Sequence, residues 1–253
     1  MQVIDIAVKA GIITMDYYGT SPQVQLKADQ SPVTAADLAA NKHICDALIT
    51  MDSSIPIVSE ENNSEENQKI ASHEDVFWLV DPLDGTKSFI KQSGQFTVNI
   101  ALIQNKVPVM GVIYVPTDDC LYYNDEKQAY KVENYLSNPQ KTSISVSTEV
   151  DEEGVVVIAS KSHLNDDTKR YIESLNVKSR ISASSSLKLC LVAEGKADIY
   201  PRFGPTMEWD IAAGHAILNA AGGTVVTADG EPLLYGKDTL YNPYFIASNG
   251  LVS

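Results

Sequence analysis

The sequence predicts a mixed protein of two parts, an α+β half at residues 1–136 and an α/β half at residues 137–253. Three observations lead there. Two segments of helical period open the chain, short β-rich runs follow them, and from Val155 onward strand and helix patterns alternate. With 253 residues and 44% hydrophobic content, the chain can bury a sizeable core without staples.

Ile4, Val8, Ile12 and Met15 recur every three or four residues, so the first helix ends near Gly19. A turn-rich stretch through Pro22 and Pro32 comes next. Thr34 is a natural N-cap, Asp37 lies in the first turn, and Leu38, Cys45 and Leu48 form one stripe, giving a second helix to about Met51. Glu60 to Asp75 holds six acids and one Lys, which suits a solvated loop or short polar helix. Phe77 to Val80 is a buried strand that stops at Asp81-Pro82. Phe96–Gln104, Val107–Val115, Cys120–Tyr123 and Ala129–Val132, separated by turn residues, read as an antiparallel meander.

Strands at Val155–Ala159, Val177–Ala183, Ala197–Tyr200 and Thr224–Thr227 then alternate with helices at Asp166–Leu175, Ser185–Glu194 and Asp210–Ala221. Such alternation predicts sheets covered by helices. The polar stretch Asn134–Lys141, with Pro139, marks the boundary between the halves. No internal repeat or low-complexity segment is present.

Nineteen basic residues against 33 acidic ones leave a net charge of −14, which repels a phosphate backbone and argues against a nucleic-acid polymer as partner. Cys45, Cys120 and Cys190 are widely spaced and form no Cys-x-x-Cys pair, which suits a reducing compartment. The N-terminus lacks the pattern of a signal peptide, and no segment has the roughly 20 apolar residues of a membrane span. The expected location is cytoplasmic, with peripheral association at the inner face of the cell membrane left open.

Asp81-Pro-Leu-Asp-Gly-Thr86 is the densest chemical cluster. Pro82 and Gly85 force a turn, so two carboxylates and the intervening carbonyls can converge while Thr86 opens a helix. Oxygen ligands of this kind suit Mg²⁺, and the amides at a helix start suit a phosphate. These residues alone are explained equally well by an ordinary Asp-rich surface turn. Haloacid-dehalogenase-type phosphatases also carry Asp-Gly-Thr after an apolar strand, but their nucleophilic Asp would fall at Pro82, so covalent catalysis is excluded.

Further segments accompany the cluster: Thr34-Ala-Ala-Asp37, Ser59-Glu60-Glu61 and Trp209-Asp210-Ile-Ala-Ala-Gly214. With them the chain resembles the lithium-sensitive, magnesium-dependent phosphatases of the inositol monophosphatase superfamily, whose signatures are Asp-Pro-(Ile/Leu)-Asp-Gly-(Ser/Thr) and Trp-Asp-x-Ala-Ala-Gly. Lys87 and Phe89 after Gly-Thr, Ala159-Ser-Lys-Ser-His163, Ser184-Ser-Ser-Leu-Lys188 and Ala193 to Thr206 with Arg202 are most similar to the CysQ-type 3'(2'),5'-bisphosphate nucleotidase branch. The resemblance runs from the first helix to Pro243 and implies a layered αβαβα sandwich.

By position, the resemblance implies that Glu60, Asp81, the Leu83 carbonyl, Asp84 and Asp210 hold two or three Mg²⁺ ions. It makes Thr86, supported by Asp37 or Glu60, the group that orients and deprotonates a water. Asp84, Gly85, Thr86, Lys87, His163, Ser185, Lys188, Arg202 and Asp210 would contact the substrate. Its implied activity is hydrolysis of adenosine 3',5'-bisphosphate to AMP and phosphate, which clears a by-product of sulfate assimilation, by a monomer or homodimer. The alternatives are an inositol monophosphatase or fructose 1,6-bisphosphatase of the same superfamily, and more remotely a non-catalytic nucleotide-binding module.

Several neighbours have plainer readings. Glu61 is as well explained as a surface or supporting residue, and His163, Lys188 and Arg202 by themselves are equally ordinary polar residues. Trp209, Ala212, Ala213 and Gly214 suit close helix packing. His43, His73 and His215 have no metal-ligand spacing.

Overall fold

The computed structural model describes residues 2–20, 24–26, 32–160 and 165–252. Helix α1 (Gln2–Tyr17) is followed by the strands β1 (Val24–Leu26) and β2 (Pro32–Thr34), which pair with each other, and by helix α2 (Ala35–Met51). Thr34 is the N-cap of α2: its hydroxyl accepts from the Ala36 amide, and the Asp37 carboxylate reaches back to the Thr34 amide.

Next come β3 (Ile57–Ser59), α3 (Ser64–His73), β4 (Val76–Asp84), the short α4 (Thr86–Ile90), β5 (Thr97–Gln104), β6 (Val107–Val115), β7 (Cys120–Asn124), β8 (Ala129–Glu133) and β9 (Gln140–Ile144). The seven strands β3 to β9 form one sheet in chain order, antiparallel apart from the β3–β4 pair. Because β9 belongs to it, this sheet extends to Ile144, beyond the polar stretch 134–141.

The remaining chain forms β10 (Val155–Ser160), α5 (Asp166–Glu173), β11 (Val177–Ala183), α6 (Leu187–Ala193), β12 (Ile199–Arg202), α7 (Glu208–Ala220), β13 (Thr224–Thr227) and β14 (Phe245–Ser248). Its sheet has the order β11-β10-β12-β14-β13.

Side-chain alternation assigns each sheet face to a layer. On β4, Trp78 and Val80 pack with Ile6, Ala40 and Ile44 of α1 and α2, whereas Phe77 and Leu79 point the other way. That second face meets α6 and α7 through Leu189, Ile211, Ala213 and Ile217, and these helices cover Ile158, Tyr200 and Phe245 of the five-stranded sheet. The outer face of that sheet, with Val157 and Ile199, receives Ile172 of α5. The layers therefore run α, β, α, β, α, as the resemblance implies.

A helix between two sheets must be apolar all round. From Glu208 to Leu218, α7 is buried at every position but Asp210. Gly111 of β6 permits the close contact, since a Cβ there would sit 2.2 Å from the Ala213 carbonyl oxygen. Gly214 does the same for α6, where a Cβ would lie 2.5 Å from Leu189 Cδ1.

Three local expectations change. Strand β4 does not stop at Asp81 but continues through Asp84 across a register shift. Helix α6 begins at Leu187, because Ser185 takes the left-handed conformation with φ 50°. Strand β12 runs Ile199–Arg202, two residues later than expected.

Candidate active site

The site begins with the irregularity in β4. Asp81 pairs with Asn99 and Asp84 with Thr97, so three residue steps on β4 match two on β5. In a regular strand Asp81 and Asp84 would face opposite ways; one extra residue puts both on the face that carries Phe77 and Leu79, toward α7. The Leu83 amide donates to Asp81 Oδ1 at 3.0 Å, which closes the turn. Gly85 then takes φ 96°, and a Cβ there would lie 3.0 Å from the Gln95 carbonyl oxygen, so glycine is needed before α4 can start.

Parallel pairing brings Glu60 to the same place. Ser59 is in register with Val80, and the Glu60 amide continues the ladder by donating to the Val80 carbonyl at 3.1 Å. Asp210 arrives from the first turn of α7, where its Oδ2 accepts the Met207 amide at 2.9 Å. Glu60, Asp81, Leu83, Asp84 and Asp210 all line one cleft of about 790 Å³.

The electrostatics show concentrated negative charge. Asp81 is 1% exposed, and its pKa is pushed well above the usual carboxylate range, first by burial and then by the charges of Glu60, Asp84 and Asp210. Asp210 is pushed well up by burial and by Asp84. Burial also raises Asp84, against the opposing pull of Lys188 and the Ser186 hydrogen bonds.

Among the described residues, no three His, Cys, Asp or Glu side chains form a closed metal shell. Asp81 Oδ1, Asp84 Oδ2 and Asp210 Oδ2 each accept from a backbone amide. The donor set nonetheless fits Mg²⁺: it is all oxygen, and its charges repel one another until a cation enters.

Thr86 opens α4 on the cleft, with its hydroxyl 3.3 Å from both Asp37 Oδ1 and the Leu83 carbonyl. Asp37 itself is buried and is linked to the cleft by Thr86. Its other oxygen, Oδ2, accepts from the Thr34 amide at 2.8 Å and the Thr34 hydroxyl at 2.5 Å, so the N-cap of α2 fixes the carboxylate.

The cleft also holds Gly85, Lys87, Ser185, Lys188 and Arg202. Lys87 is exposed at its edge. Lys188 is buried, donates to the Ser185 carbonyl, and lies 5.4 Å from the Tyr200 ring centroid. Burial lowers its pKa to about 8, partly offset by Asp84 and Asp210. Arg202 donates to the Pro205 carbonyl at 3.0 Å, while its buried Nε and the buried Ser185 hydroxyl lack a hydrogen-bond partner among the described residues. His163 lies outside the described residues.

Two site residues escape the sequence reading. Ser186 binds Asp84, donating from its amide at 2.7 Å, with its hydroxyl 2.8 Å from the same carboxylate oxygen. Asn99 donates to Ser186 Oγ at 2.8 Å. A lone Asn inside the apolar run Phe96 to Ile103 was the available signal for the second.

Residues 2–250 match the sequence model of the inositol monophosphatase family. The Escherichia coli K12 protein named 3'(2'),5'-bisphosphate nucleotidase CysQ is 45% identical over 250 residues, 98% of each chain. The crystal structure of CysQ from Bacteroides thetaiotaomicron superposes with a TM-score of 0.85 at 43% identity, covering 100% of this chain and 97% of the other. The Thermotoga maritima IMPase gives 0.79 at 26% identity, with 98% and 91% covered. Matched along almost its whole length and in all five layers, the chain belongs to the inositol monophosphatase family.

Proposed function

We propose that the chain is a Mg²⁺-dependent 3'(2'),5'-bisphosphate nucleotidase, hydrolysing adenosine 3',5'-bisphosphate to AMP and phosphate in the cytoplasm. Its physiological task is then removal of the by-product of sulfate assimilation. The observation that carries this reading is the make-up of one cleft: Glu60, Asp81, Leu83, Asp84 and Asp210 as oxygen donors, with Lys188 and Arg202 as cations. The similarity to the Escherichia coli K12 protein named for this activity supports the substrate. No helix among the described residues is long and apolar enough to cross a membrane.

Glu60, Asp81, the Leu83 carbonyl, Asp84 and Asp210 would hold two or three ions. Bound Mg²⁺ supplies positive charge against the phosphate and lowers the pKa of water. Thr86 donates its hydroxyl hydrogen toward Asp37 or Leu83, so its lone pairs can accept a hydrogen bond from the attacking water. Asp37 is the acceptor behind Thr86 for the proton that leaves. Water attacks phosphorus in line, the phosphorus–oxygen ester bond breaks, and its electron pair passes to the sugar oxygen, which takes a proton from solvent while the proton held by Asp37 returns to solvent as the products leave. Phosphate monoesters demand up to about 10²¹-fold acceleration, whereas one positioned base yields about 10²–10⁴, so electrostatics must carry most of the barrier.

Lys188 and Arg202 suit the second phosphate. A lysine with a pKa of about 8 gains its full charge when an anion arrives, and the guanidinium can engage a phosphate with two parallel donors. Buried Ser185 Oγ and Arg202 Nε, without partners among the described residues, are further donors for such a ligand.

Phosphate release should be measured with Mg²⁺ on adenosine 3',5'-bisphosphate, inositol 1-phosphate and fructose 1,6-bisphosphate, with and without Li⁺. We expect a large preference for the nucleotide, lost on lithium addition. Asp84→Asn and Asp210→Asn should each lower turnover by about 10²–10⁴-fold, the several kcal/mol of charge stabilisation a catalytic metal contributes. Faster release from inositol or fructose phosphates would refute the substrate assignment, and near-normal activity of both variants would refute the ligand assignment.

A further inference from the structure

We infer that Ser186, held by Asn99, is a positioning residue for the carboxylate centre, fixing Asp84 of the seven-stranded sheet against the first turn of α7. The inference rests on the metal-site reading proposed above and extends it to two residues outside the expected ligand set.

Ser186 stands at the N-cap of α6, where a serine normally accepts from an amide of the first helical turn. Here its side chain makes no capping hydrogen bond. The hydroxyl is turned to the site instead, 2.8 Å from Asp84 Oδ2 and 2.8 Å from the Asp210 carbonyl oxygen. The Ser186 amide adds a third link, at 2.7 Å from Asp84 Oδ2. A helix end has thus given up its usual cap to join the two chain segments that carry Asp84 and Asp210.

Donor counting assigns the directions. Asp84 only accepts when ionised, so the Asn99 group facing it, 3.5 Å from Oδ2, is the NH₂. The same NH₂ donates to Ser186 Oγ at 2.8 Å. Ser186 Oγ is therefore the acceptor from Asn99, and its one hydrogen serves Asp84 or the Asp210 carbonyl. All these contacts to Asp84 fall on Oδ2, which fixes the rotation of the carboxylate and presents Oδ1 away from them. Both residues are buried, Asn99 at 1% and Ser186 at 3% exposure, so water does not compete for the strut.

Ligand orientation of this kind acts on metal affinity before it acts on stability. Residues that orient metal ligands typically change affinity by about 10–100-fold when removed. Mg²⁺ binding to the full chain should be measured by isothermal titration calorimetry for wild type, Ser186→Ala, Asn99→Ala and the double variant, with the metal-free Tm of each recorded alongside. Each single variant should bind Mg²⁺ about 10–100-fold more weakly. The double variant should lose little beyond the worse single one, because both act through one hydroxyl. Ser186→Thr, which keeps the hydroxyl, should stay close to wild type.

A fall in metal-free Tm with Mg²⁺ affinity unchanged would assign the pair a purely structural role and overturn the inference. Fully additive losses would overturn the Asn99 part. If Ser186→Ala does not fold, Asn99→Ala and Ser186→Thr still decide the matter. A wild-type chain that binds no Mg²⁺ would overturn the metal reading itself, a separate and recognisable result.

Discussion

Burial favours the neutral form of an acid and of a base beside α7 and so moves their pKa values in opposite directions. Asp81 and Asp210 are pushed toward their protonated, neutral forms by burial and by their carboxylate neighbours, a strain that a cation can relieve. His215, about one turn and a half along α7 from Asp210, is 5% exposed, and among the described residues the Tyr235 hydroxyl, 3.0 Å from Nδ1, is its hydrogen-bond partner. Burial lowers its pKa to about 3. Between the unfolded value near 6.5 and this folded value, the unfolded chain binds the extra proton, so folding stability falls as pH falls through that window. A single such group contributes a slope of about 1.4 kcal/mol per pH unit. His215→Gln should therefore flatten the acid limb of a urea-denaturation series between about pH 6.5 and 4 relative to wild type. Parallel curves for the two proteins would mean that His215 is not held neutral in the fold.

At the scale of elements, the site depends on pieces that meet without room to spare. Gly111 of β6 faces the backbone of α7, and a methyl there meets a carbonyl that cannot rotate away. Gly111→Ala should cost about 1–3 kcal/mol by overpacking, a Tm drop of roughly 2–12 °C at this chain length. An unchanged Tm would show that β6 and α7 can slide apart freely. Period and turn chemistry made α1, α2, the meander and α7 legible, since each has a long apolar pattern with a cap, Gly or Pro at its end. Strand β9, Gln-Lys-Thr-Ser-Ile, was not, because its exposed polar residues carry no alternation. Strand β3 has three residues, too few to display a period. Asp81, Asp84 and Asp210 could be named from their motifs, but the bulge that aligns the first two depends on pairing with β5. Ser186 was hidden for a similar reason: three consecutive serines give no direction until the left-handed backbone at Ser185 turns the third toward Asp84.

The whole molecule folds around a site assembled from distant parts of the chain. Glu60, Asp81 and Asp84 come from one sheet, Asp210 from the helix between sheets, and Lys188 from the neighbouring helix. Unfolding scatters these donors, so on the proposed metal reading Mg²⁺ should bind the folded chain far better than the unfolded one and stabilise it by mass action. At about 100 times its dissociation constant, that linkage amounts to about 2.7 kcal/mol. For a chain of this length, each kcal/mol moves Tm by roughly 2–4 °C, so Mg²⁺ should raise Tm by roughly 5–11 °C and a chelator should reverse the rise. A net charge of −14 offers a competing explanation, because any salt screens repulsion across the whole surface. Sodium chloride at matched ionic strength separates the two, since screening responds to ionic strength whereas the proposed metal site would require a divalent ion of small radius. Asp84→Asn separates them again: it changes the overall charge by one unit in 14 but removes a carboxylate from the centre. Its Mg²⁺-induced Tm rise should shrink while its response to sodium chloride stays as in wild type. Equal shifts with the two salts, or an undiminished Mg²⁺ shift in the variant, would place the stabilisation on the surface rather than in the cleft.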